Sequence, residues 1–188
     1  MPQTQLPGSL SEYFENSAIA LSMAEGGEDQ PLLVVNRPFR ELTGYPGSEI
    51  IGKNCRFLQG DTRSANEQAR EAIHQFLRHD RIPNVRTQIL NFRKDGKPFI
   101  NLLYMSKLRS LSGEVRYIFA SQFDISRARP ELLEEYDDNL EGELSRLSPV
   151  LAEAGIIVEG TLTTIANSAA AIAQAKLTLS DLDGKEPL

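Results

Sequence analysis

Three extended stretches follow one another after Pro83, separated only by short turns. This run constrains the fold more than any other part of the chain. Residues 84–92 alternate, with Val85, Thr87, Ile89 and Asn91 facing one way. Lys94-Asp95-Gly96-Lys97 reads as a tight hairpin turn. Residues 98–108 form the next strand, 110–114 its turn and 115–125 the last strand. Turns this short join neighbouring antiparallel strands, so the run is a meander.

The segments before the meander add two strands and several helices. Residues 9–16 read as a short amphipathic helix capped by Ser9, with Leu10, Tyr13 and Phe14 at helical spacing. Residues 18–23 and 32–35 are apolar strand-like runs joined by an acidic Gly-Gly turn. Short helical pieces follow around Phe39 and Leu42, at 48–51 and at 55–58. A longer helix over 64–77 places Ala65, Ala69, Ala72, Ile73 and Phe76 on one side. This order predicts an α+β fold: a five-stranded antiparallel sheet with short helices on one face.

Pro130 marks a boundary, and beyond it no strand signal is read. Residues 131–143 hold seven acids and no base, above a seam of Leu132, Leu133, Tyr136 and Leu140. The seam continues through Leu144, Leu147 and Leu151, with Pro149 expected to kink the helix or begin a new one. A second stripe runs Val158, Leu162, Ile165, Ala169, Ile172, and residues 160–175 carry no charge. So uncharged a helix needs cover on most sides. The favoured expectation is a homodimer, in which two copies pair their C-terminal helical hairpins as a four-helix bundle. The alternative is that both helices pack back on their own sheet. Residues 181–188 read as a frayed end.

Composition excludes several classes of function. A net charge of -6 argues against direct nucleic-acid binding through a basic surface. One cysteine excludes an internal disulfide and a multi-cysteine metal site, and two histidines make a histidine metal centre improbable. No metal is expected. No apolar run suits a membrane span, and the first ten residues lack the features of a secretory signal. The expected location is cytoplasmic.

The single cysteine, Cys55, sits in GKNCRFLQG (52–60), between Asn54 and Arg56 and four residues before Gln59. A cationic neighbour stabilises a thiolate. Adjacent residues on a helix point in different directions, however, so Arg56 is better placed to reach a separate anion. Arg70, and with less weight Arg63, can converge on that anion, which indicates phosphate or carboxylate. Asn91 and Asn101 lie on strands that the Lys94–Lys97 turn brings side by side, and Gln122 is on the third. With Gln59 they form a row of donors and acceptors suited to a planar heterocycle, and Leu58, Ile73 and Leu103 could sandwich its ring. On residue type alone an inert buried cysteine with solvated arginines stands beside this reading. So do amides that bond strand edges or water, and a thiol enzyme pairing Cys55 with His74 or His79.

The stretches LTGYPGSEIIGKNCRFLQG, ILNFRKDGKPFINLL and VRYIFASQFD resemble the LOV (light, oxygen, voltage) branch of PAS domains, over about residues 18–124. The resemblance implies a PAS/LOV fold in three parts: an N-terminal helical cap (1–17), a flavin-binding sensor domain (18–126) and a C-terminal α-helical hairpin extension (130–188). It implies bound flavin mononucleotide (FMN) and a blue-light photoreceptor of the short bacterial kind. Carried over by position, Cys55 would form a reversible bond to flavin C4a. Asn54 and Gln59 would bond the ring or ribityl chain, Arg56 and Arg70 the phosphate, Asn91 and Asn101 the pyrimidine edge. Gln122 would sit at N5 and switch its hydrogen bond as N5 gains a proton.

The family pattern is not kept throughout. The loop after Gly60 is two residues shorter than in plant members. Met23-Ala24 stands where a Thr-Asp pair is frequent, and Ala120 where glycine is common. No nucleotide-binding glycine motif is present and no histidine follows His79, so the expectation is a non-enzyme that signals to an unknown protein partner through light-dependent dimerisation. A flavin redox sensor or an adaptor module is the alternative.

Overall fold

The computed structural model describes Leu6, residues 8–61, 64–158 and 167–184. Arg63 lies outside the described residues, as do Leu162 and Ile165 of the second apolar stripe and the end of the chain from 185. The elements are α1 (Gly8–Asn16), β1 (Ala20–Glu25), β2 (Leu32–Val35), α2 (Arg37–Thr43), α3 (Gly47–Ile50), a 3-10 turn (Cys55–Gln59) and α4 (Glu67–Arg78). After these come β3 (Asn84–Phe92), β4 (Pro98–Ser110), β5 (Val115–Gln122), a second 3-10 turn (Ile125–Arg127), α5 (Pro130–Glu153), β6 (Ile156–Val158) and α6 (Ser168–Asp183).

The main sheet has the order β2-β1-β5-β4-β3. Its pairings are all antiparallel. The N-terminal hairpin thus docks on the last strand of the meander, with Ala20 opposite Gln122 and Ser22 opposite Ala120. Side chains alternate across the pleat, and each central strand divides accordingly. Leu21 and Met23 of β1, Leu102 and Tyr104 of β4 and Phe119 of β5 join one apolar cluster. Ser22, Ala24, Asn101, Leu103, Ala120 and Gln122 line a cavity on the opposite face.

The short helices cover one face, as expected, and α1 with the C-terminal helices covers the other. Short helices and the 3-10 turn form a second cluster around Phe39, Ile50 and Leu58 on the cavity side. On the other face α1 (Leu10, Phe14), α5 (Leu133, Tyr136, Leu140, Leu147, Leu151) and α6 (Ile172, Ala175) join the main core. The α5 seam is therefore covered by this chain's own sheet, and of the uncharged stretch Ile172 and Ala175 are buried there as well. Leu132, read as part of that seam, is exposed, and α5 runs through Pro149 to Glu153.

One more expectation is corrected. A strand does exist beyond Pro130: β6 pairs with the end of β4, Leu108 opposite Val158 and Ser110 opposite Ile156. Three residues are too few for a period to declare itself, and only the ladder offered by β4 makes them a strand. Glu143, one of the seven acids of residues 131–143, is not on the solvated side: it is 6% exposed. It accepts a hydrogen bond from the Tyr13 hydroxyl at 2.5 Å and pairs with Arg146 at 2.8 Å, clamping α1 to α5.

Two buried asparagines set helix starts. Asn36 caps α2 by accepting from Phe39 N at 3.1 Å and also accepts from Leu21 N at 2.9 Å. Its amide donates to the carbonyls of Phe14 and Ile19. Asn66 bonds both backbone groups of Leu90, at 2.9 and 2.8 Å, so α4 begins at Glu67 rather than at 64 and Ala65 is left exposed. At the other end of α4 the buried Lys107 ammonium donates to the His79 carbonyl at 2.7 Å, a cation on the negative end of a helix.

Candidate functional site

GKNCRFLQG folds into the 3-10 turn for local reasons. Asn54 caps it, its side chain accepting from Arg56 N at 2.8 Å. Glycines supply the two left-handed positions, Gly52 at φ 84° and Gly60 at φ 56°. A Cβ at Gly60 would also stand 3.3 Å from the Phe92 ring. Leu32 N bonds the Lys53 carbonyl at 2.9 Å and Gly52 N the Leu32 carbonyl at 2.8 Å, stapling the loop to β2. Cys55 is thereby held over the inner face of the sheet.

The cavity beneath it is lined by Asn54, Cys55, Arg56, Leu58 and Gln59 from the turn and by Ile73 from α4. The sheet contributes Asn91, Asn101, Leu103 and Gln122. Arg70 lines the groove that adjoins it, together with Arg56, Gln59 and Ile73. Both guanidinium residues thus line this groove, and Arg56 pairs with Asp29 at 2.9 Å. Sequence reasoning did not single out Ser22, Gln30, Leu77, Ile89, Met105 or Ile118, which also line the cavity. Alternation already set Ile89 on the face of Asn91, and carried along β4 and β5 it would have found Met105 and Ile118. Gln30, at φ 43°, carries no local signal of its place there.

The amides are ordered as a directional chain. Phe123 N donates to Asn101 Oδ1 at 3.2 Å, Asn101 Nδ2 to Asn91 Oδ1 at 3.0 Å, and Asn91 Nδ2 to the Leu90 carbonyl at 3.0 Å. Gln122 Nε2 donates to Ser22 Oγ at 3.0 Å, while Gln122 Oε1 is buried without a hydrogen-bond partner. An orphaned buried acceptor in a cavity wall is what a ligand donor would satisfy. Burial, not a charge, dominates the thiol: it pushes the Cys55 pKa up to about 12, so the sulfur is protonated at neutral pH. His74 lines the outer groove and His79 caps α4, but neither lines the cavity that holds Cys55, which leaves the thiol without an adjacent imidazole base there.

Apolar walls, amides on one edge, a protonated thiol overhead and arginines at the mouth fit a planar heterocycle with an anionic tail. Among the described residues no cluster of histidine, cysteine or carboxylates could hold a metal, and no helix is long and apolar enough to cross a membrane.

Comparison with known proteins shows the family and the fold. The PAS domain family model matches residues 17–127. A blue-light-activated histidine kinase of Rhizobium johnstonii is 36% identical over 148 residues, which is 77% of this chain and 42% of that relative. Phototropin-2 of Oryza sativa subsp. japonica is 32% identical over 125 residues, 66% of this chain and 13% of its own. The chain thus spans less than half the length of these relatives. The crystal structure of a Rhodobacter sphaeroides LOV protein superposes with a TM-score of 0.69 at 27% identity, covering 95% of this chain and 96% of that one.

Proposed function

The chain belongs to the PAS-domain family, in its LOV branch, and from that premise we propose that it is a blue-light photoreceptor that binds FMN and forms a reversible bond between Cys55 and flavin C4a. The observation that carries this reading is the convergence of one protonated thiol and the amides of Gln59, Asn91, Asn101 and Gln122 on a single cavity. When bound, FMN would supply a light-excited ring able to take up the Cys55 sulfur and its proton reversibly.

The chain's own residues do the rest. Leu58, Ile73 and Leu103 hold the ring and keep water from it. Asn91 and Asn101 read its pyrimidine edge, and Asn54 and Gln59 the ring or ribityl chain. Arg56 and Arg70 hold the phosphate. The Arg56–Asp29 pair is exposed on both sides and contributes little to stability, so the guanidinium is free to turn to a phosphate. A high thiol pKa suits this chemistry, because the cysteine must bring its proton with it.

Gln122 would lie at the ring edge, where its amide can accept or donate and could reverse to match a ring nitrogen that gained a proton. The next residue, Phe123, stacks on Tyr136 of α5, so the reversal reaches the helical extension and changes dimerisation. The chain acts as a cytoplasmic, non-catalytic homodimeric sensor module, and a downstream protein reads its output. Absorbance of the pure protein tests the photochemistry. A yellow sample that bleaches under blue light and recovers in the dark is expected; a protein that stays colourless after reconstitution with FMN overturns the reading. Chromatography in the dark and under illumination tests the output, and identical elution across a wide concentration range would remove the dimerisation step.

A further inference from the structure

Ser22 is the one hydroxyl among the described residues that line the cavity. It is 2% exposed and lies diagonally across the β1–β5 ladder from Gln122, between the small side chains of Ala20 and Ala120. Its Oγ accepts the Gln122 Nε2 hydrogen bond at 3.0 Å, and Gln122, 4% exposed, keeps Oε1 without a partner. A glutamine amide turned over about its terminal torsion exchanges oxygen and nitrogen in nearly the same volume. A hydroxyl both donates and accepts.

We propose that Ser22 is the positioning residue for Gln122: its hydroxyl accepts from Nε2 in one amide orientation and donates to Oε1 in the other. The amide then reverses without losing its protein-side hydrogen bond. The orientation seen here, with Oε1 unpartnered, suits a donor in the cavity; the reversed one presents Nε2 to an acceptor. An alanine would leave the buried amide short of a partner in either state, and a buried charged residue would favour one orientation only. The inference rests on the FMN reading of the cavity.

Illuminated-minus-dark infrared spectroscopy of the FMN-loaded protein tests it, with the Gln122 carbonyl band assigned by its loss in Gln122→Leu. In the wild type and Ser22→Thr the carbonyl accepts a hydrogen bond in both states, so its light-induced shift is small. In Ser22→Ala the dark carbonyl loses its hydroxyl donor and moves to higher frequency, so the shift grows. An unchanged shift in Ser22→Ala overturns the role of Ser22. Wild type alone gives a second measurement, independent of how the variants fold. Its difference spectrum should carry a hydroxyl stretch that moves in heavy water, as Ser22 passes between donating and accepting. A spectrum without that band overturns the role of Ser22 and leaves the FMN reading intact. Wild type that does not bleach overturns both.

Discussion

The Phe123 ring lies stacked on Tyr136, centroids 4.4 Å apart and planes 18° from parallel. Phe123 directly follows the cavity residue Gln122, and its backbone N–H is held by Asn101, another cavity residue. Tyr136 is on α5, across the sheet, and its hydroxyl is 2.5 Å from Ser121 Oγ. Two adjacent residues of β5 thus face opposite ways, Ser121 to the extension and Gln122 to the cavity, and Phe123 links them to the helix. Burial holds the Tyr136 phenol neutral well above its ordinary pKa.

Tyr136→Phe keeps the stack and removes only the Ser121 hydrogen bond, so it should cost about 1 kcal/mol. Tyr136→Ala removes a buried ring and should cost about 3–5 kcal/mol. Urea denaturation of both variants checks the ratio. Phe123→Ala should still bleach in blue light but elute identically in the dark and under illumination; a retained light-dependent shift in elution would exclude this stack as the route.

The clamp between α1 and α5 should behave as a coupled pair. Tyr13→Phe leaves the buried Glu143 carboxylate short of a donor and should destabilise by about 1–3 kcal/mol. The double variant with Glu143→Gln should be less destabilised than the sum of the singles, because the two residues share one hydrogen bond. Additive effects in a double-mutant cycle would contradict the contact.

Alkali should weaken the fold through Cys55. The native thiol holds its proton until about pH 12, against an ordinary value of 9.0. Between those values the unfolded chain releases a proton that the native state keeps, so stability is level below about pH 9 and falls as pH rises toward 12. Tyrosines 13, 104 and 136 are also raised by burial and share in the loss at higher pH. The difference between wild type and Cys55→Ala isolates the thiol. Alkylation by iodoacetamide should be slow near neutrality and accelerate only in strong alkali.

Arg70 lines the groove at the cavity mouth. Arg70→Gln should weaken FMN binding by about tenfold to a hundredfold, the range of a lost charge-assisted hydrogen bond. Riboflavin, which has no phosphate, should bind both proteins alike. Equal loss for the two ligands in calorimetry would place Arg70 away from the phosphate.

Much of the fold was legible because its signals are local. The meander shows itself through alternation and the Asp95-Gly96 turn, and α5 through its apolar seam and Pro130. The motif at 52–60 marks the turn that carries Cys55, since its glycines and Asn54 close that turn on themselves. What failed to show was decided at a distance. Nothing near Glu143 announces Tyr13, 130 residues away. Asn36 and Asn66 look like ordinary loop polars until their backbone partners are seen, and β6 exists only against β4.

The amino-acid order by itself determined the five strands of the main sheet, the capped turn and the set of chemically distinctive residues, because period, turn chemistry and composition act over a few residues at a time. The tertiary structure decided which of those residues meet. Antiparallel docking of β1 on β5 sets Ser22 beside Gln122, and closure of the sheet under the 52–60 turn draws the thiol partly out of water and raises its pKa. The same packing lets this chain's own sheet cover α5. Each depends on contacts between segments far apart in the chain, and on burial, which no local pattern measures.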